Sequence, residues 1–104
     1  MRELAAELDV EMADVARIVH DLRADCPGMA TQLRAVFARM KVSVDRAHVA
    51  QQDPALAKEL TSEMRRYDEA SKQRVAQIER DFTVNATCAA DAGVRDALMT
   101  MPTL

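Results

Sequence analysis

The chain has 104 residues and a formal charge of −3, the size of a single domain. Its 2 glycines cannot supply a phosphate-cradling loop, and neither a Walker-type lysine run nor a Gly-x-Ser-x-Gly elbow is present. One Tyr, two Phe and no Trp are too few for a base-stacking platform.

The first predicted element is a helix from about residue 2 to residue 25. Met1, Ala5, Leu8, Met12, Val15, Val19 and Leu22 recur at alternating steps of four and three, a heptad seam. Asp25-Cys26-Pro27-Gly28 breaks it, because proline disfavours helical geometry in the residue before it and can open the next helix. A second helix over about 27–51 follows, with Leu33, Phe37, Met40, Val44 and Ala47 as its seam. At the next boundary Asp53 is an N-cap and Pro54 takes the first helical position. From there to Phe82 no glycine or proline intervenes, which predicts one helix over 54–82, about 43 Å long at 1.5 Å per residue. Leu60, Met64, Tyr67, Ser71, Val75, Ile78 and Phe82 form its stripe, with a stutter at the double four-step around Ser71. On its outer face Arg65 with Glu69 and Asp68 with Lys72 are spaced for i,i+4 ion pairs. A short alanine-rich helix over about 86–100 completes a single all-α domain, 1–104. Three long helices and a short one make an antiparallel helical hairpin or bundle. A 43 Å helix overhangs a compact monomer of about 13 Å radius of gyration, so an oligomer is expected.

Charge is uneven: residues 1–25 carry 3 basic and 7 acidic side chains, residues 26–53 carry 4 and 2. Opposite signs on consecutive helices favour antiparallel contact, within one chain or between two copies. No run approaches the roughly 18 apolar residues of a membrane span. Met1-Arg2-Glu3-Leu4 turns acidic at once, unlike a signal peptide. Cys26 and Cys88 allow one disulfide, but without a signal the expectation is a cytoplasmic chain with free thiols. Asn85-Ala86-Thr87 fits a glycosylation sequon that such a chain would not have modified.

Leu4-Ala5-Ala6-Glu7-Leu8-Asp9-Val10 followed by Val15-Ala16-Arg17-Ile18-Val19 resembles the helix-turn-helix of bacterial regulators, which would make residues 3–22 a DNA reader. Asp9 stands where the turn usually has glycine, and Glu11, Asp14 and Asp21 outnumber Arg17 on the facing surface. Phosphates repel such a face, so one continuous helix is the preferred reading and nucleic acid is disfavoured as a partner. His20-Asp21-Leu22-Arg23-Ala24 resembles the core of histidine phosphotransfer domains, which implies an exposed phosphorylatable His20 on a small helical bundle. Against that stands an ordinary exposed histidine near a helix C-terminus, which the macrodipole favours.

His20, Cys26, His48 and Cys88 are the candidate soft or borderline metal ligands, but no two lie at i,i+3 or i,i+4 spacing on one helix. Asp45-Arg46-Ala47-His48 supplies one carboxylate-x-x-His unit where a di-metal bundle needs two. The serines, Ser43, Ser62 and Ser71, all fall mid-helix, and neither thiol has cationic neighbours. The expectation is therefore no enzyme, no cofactor and no metal. Met12, Met40 and Met64 lie on the seams, where methionine fills cores or lines adaptable interfaces. What remains is a helical protein–protein interaction module, similar in size and charge to small acidic chaperones, adaptors and regulators of bacterial export systems. It would work by coiled-coil or helix-in-groove contacts with a second copy or another protein, through Leu60, Met64, Tyr67, Val75, Ile78 and Phe82.

Overall fold

The structure is a computed structural model and describes every residue except Asn85 and the side chain of Ala86. The sequon asparagine therefore lies outside the described residues. Among those described, all regular structure is helical. The order is α1 (Arg2–Asp21), α2 (Cys26–Gln51), α3 (Pro54–Met64), a 3-10 turn (Arg65–Tyr67), α4 (Asp68–Val84), α5 (Ala86–Ala89) and α6 (Ala92–Leu98).

The first helix ends four residues short of its expected boundary. Residues 22–25 form the turn, closed by the Asp25 N–H donating to the Leu22 carbonyl at 2.8 Å. Asp25 serves instead as the N-cap of α2, its carboxylate accepting from the Gly28 N–H at 3.0 Å. A Cβ at position 28 would collide with that carboxylate, so the cap requires glycine there. The α2 seam is buried in full: Leu33, Phe37, Met40, Val44 and Ala47 are each at most 3% exposed. Asp53 caps α3 through the Ala55 N–H at 2.9 Å, with Pro54 at the first helical position.

The single long helix over 54–82 is not found. The 3-10 turn interrupts it just ahead of the expected stutter. Three residues at 3.0 rather than 3.6 per turn advance the stripe by about 60°. Its two halves therefore enter different clusters: Leu60, Met64 and Tyr67 join Leu4, Leu8 and Ala47 at one end of the molecule. Ile78 and Phe82 join Val19, Leu33 and Phe37 at the other. The expected i,i+4 pairs also give way to i,i+3 pairs, Glu63 with Arg66 at 3.4 Å and Glu69 with Lys72 at 3.7 Å.

α1 packs on α2; α3 packs on both, α4 on α1, and α6 on α2. The molecule measures 44 × 24 × 16 Å with a radius of gyration of 14.6 Å. It is as long as the expected rod, so α3 and α4 lie along their neighbours and do not overhang them. No helix overhang is left for a second copy to cover.

Cys26 and Cys88 are joined in a disulfide, with Cα atoms 5.2 Å apart, where free thiols were expected. The N-terminus of α2 and the short α5 meet because α6 folds back onto α2 and buries Val94 and Ala97. No helix among the described residues is long and apolar enough to cross a membrane.

Candidate binding site

Between the two core clusters lies a cavity of about 370 Å³. Its walls explain why the core is divided. α1 contributes Leu8 and Met12, α2 contributes Met40 and Val44, and Met64 and Tyr67 come from the end of α3 and the end of the 3-10 turn. Each is a seam residue that would meet its counterpart in a continuous core. Long, unbranched methionines surround the space without closing it. The fourth wall is the C-terminal segment Met101-Pro102-Thr103-Leu104, which has no regular structure. The carbonyl of Thr103 lies 3.0 Å from His48 Nε2, which ties this segment to α2.

The polar part of the rim is built by Asp9 and Arg74. The guanidinium donates to both carboxylate oxygens, through Nη1 to Oδ1 and through Nη2 to Oδ2 at 3.3 Å, and reaches the Asp9 carbonyl at 3.4 Å. Both side chains are mostly buried. A forked, charge-assisted pair of this kind fixes the angle between α1 and α4 where the cavity opens. Asp68 and Ser71 complete that edge.

The expected interface residues thus divide in place. Leu60 is buried in the smaller cluster; Met64 and Tyr67 pack on it and line the cavity. Ile78 and Phe82 pack on the larger cluster, and Val75 alone of the set is largely exposed. The helices therefore use most of the stripe within the chain.

Residues 3–22 contain no turn at Asp9, which sits inside an unbroken α1, so a helix-turn-helix does not form there. His20 is half-exposed, its Nδ1 3.2 Å from the carboxylate of buried Asp81. The neighbouring Arg23 folds back onto the His20 carbonyl at 2.6 Å. The Asp81 carboxylate therefore sets beside His20 the charge that a phosphoryl group avoids. His20 and His48 have separate partners and the cysteines are joined to each other. Among the described residues no three His, Cys, Asp or Glu side chains gather in a metal-holding group.

Asp9, Arg74, Met101 and Leu104 had no place in the sequence-based site. Asp9 and Arg74 are 65 positions apart, and Arg74 lies in a charged stretch that reads as a solvated face. No family model, no curated protein and no solved structure matches the chain.

Proposed function

We propose that the chain is a non-enzymatic helical interaction module that receives the apolar face of an amphipathic partner helix in the methionine-lined cavity. The observation that carries this reading is the divided core: a 104-residue chain with little apolar surface to spare leaves about 370 Å³ open between two clusters. That volume falls in the range of ligand-accepting clefts, roughly 300–1,000 Å³. The methionines can repack around side chains of differing shape, and the Asp9–Arg74 pair supplies a polar rim. The apolar Met101–Leu104 wall indicates the kind of segment the space accepts. The Cys26–Cys88 bond favours an oxidising compartment over the cytoplasm for an adaptor or chaperone of this type.

The test is selection from a displayed library of helical peptides, followed by methyl NMR with labelled methionine. Enriched peptides should carry apolar anchors at i, i+3 or i+4, and i+7, and should shift the Met12, Met40, Met64 and Met101 methyl signals. A selection that enriches nothing, or binders that leave those four signals in place, would refute the reading.

A further inference from the structure

We propose that the outer face of the α1–α2 pair is the contact surface for a second copy of this chain, with the two-fold axis running along the groove between the helices. This face lies apart from the methionine-lined cavity and shares none of its lining residues. It is also left uncovered by the rest of the fold, since the groove is bounded by α1 and α2 side chains alone.

Three rungs cross the groove. Glu7 meets Arg46 at 3.5 Å, Glu11 accepts from the Ser43 hydroxyl at 2.5 Å, and Asp14 meets Arg39 at 3.5 Å. Val10 and Val42 stand on the middle rung, 59% and 58% exposed. One edge of the groove is therefore acidic, the other basic, and the centre apolar. An isologous contact across this face has two simple choices of axis. With the axis across the groove, α1 meets the partner's α1, and acid faces acid. With the axis along the groove, α1 meets the partner's α2, antiparallel and level by level. Glu7 then faces the partner's Arg46, Asp14 faces the partner's Arg39, and Val10 faces the partner's Val42. Charge selects the second arrangement.

Glu11, already covered within the chain, gives an independent reason to expect added cations beside it. The residue is only 8% exposed, and among the described residues its second carboxylate oxygen, Oε2, has no hydrogen-bond partner. A buried carboxylate satisfied on one oxygen by a hydroxyl is under-compensated within one chain. In the proposed dimer it lies between the partner's Arg39 and the partner's Arg46, each about one helical turn, or ~5.4 Å, away along the axis. The groove runs from Glu3 to Asp14 on α1, about 17 Å, and is two helix diameters, about 20 Å, wide. Two such patches bury about 700 Å², the size of a weak, transient contact rather than a permanent one. The dimer is therefore expected to dissociate on dilution and, being held by rim charges, to weaken with salt.

The experiment measures absolute mass by light scattering after size exclusion, with circular dichroism as the check on folding. The intact chain should give twice its 11.5 kDa at high concentration and low salt. Glu7→Arg/Asp14→Arg makes both edges basic, and Arg39→Glu/Arg46→Glu makes both acidic. Each variant alone should be monomeric, and the two mixed should form a one-to-one dimer. Val10→Asp, a solvent-facing change, should also give a folded monomer. A monomeric parent chain at every concentration overturns the proposal and leaves the face to solvent or a different protein. Variants that stay dimeric, or that fail to pair when mixed, overturn it equally.

Discussion

Arg74 departs from every expectation that its neighbours set. It stands in a stretch of alternating charges, yet its guanidinium turns inward and grips Asp9 across the α1–α4 contact. A periodic pattern reports which positions share a face; it cannot report that a residue at the border of that face has found a carboxylate 65 positions away. By contrast, the Asp53 cap and Pro54 were legible, because a cap and the N–H groups that donate to it lie within three residues and no tertiary information is needed. Replacing Arg74 by alanine leaves a mostly buried Asp9 carboxylate without its donors. Chemical denaturation should show a loss of about 2 kcal/mol, in the range of hydrogen bonds to charged groups. Arg74→Lys should recover part of it, since an ammonium cannot reproduce the fork. Equal stability of all three proteins would show that the pair contributes nothing net.

Among the elements, α2 was the most legible and the 54–84 segment the least. In α2 one seam runs the whole length and stays buried, so periodicity and packing agree. In the third segment no glycine or proline follows Pro54, and propensity alone supports an uninterrupted rod. Packing prevails instead. The segment must serve two clusters, and the tight turn at Arg65–Tyr67 rotates one half of its stripe relative to the other. The stutter at Ser71 was the visible trace of that conflict. The short helices α5 and α6 depend on tertiary support, since 4 and 7 residues are below the length at which helices persist alone. That support is Val94 and Ala97 packed on α2, together with the Cys26–Cys88 bond. The bond closes a loop spanning 62 residues, for which chain entropy gives about 4 kcal/mol. Cys26→Ser/Cys88→Ser should lower the denaturation midpoint accordingly, with hydrogen-exchange protection lost first in 86–98. Protection there equal to that of the parent chain would mean that packing alone holds the C-terminal helices.

At the scale of the whole molecule, the two clusters and the cavity between them are one design choice. A core this small is stabilised by contiguity, and the open volume removes contacts from both sides of it. A void tolerated in so small a domain implies that filling it would stabilise the fold at the expense of whatever the void receives. Ser71 offers the test, because it lines the cavity from α4 without belonging to either cluster. Ser71→Met adds an apolar arm at a half-buried helical site and should raise stability by about 1 kcal/mol, the scale of one or two buried methylenes. The same variant should lose affinity for the peptides selected against the parent chain, while its dimerisation through the α1–α2 face stays unchanged. A gain in stability with full retention of peptide binding would place the binding surface elsewhere. Loss of stability would mean that the cavity is closed in solution by the Met101–Leu104 segment moving inward, leaving no room for the added side chain.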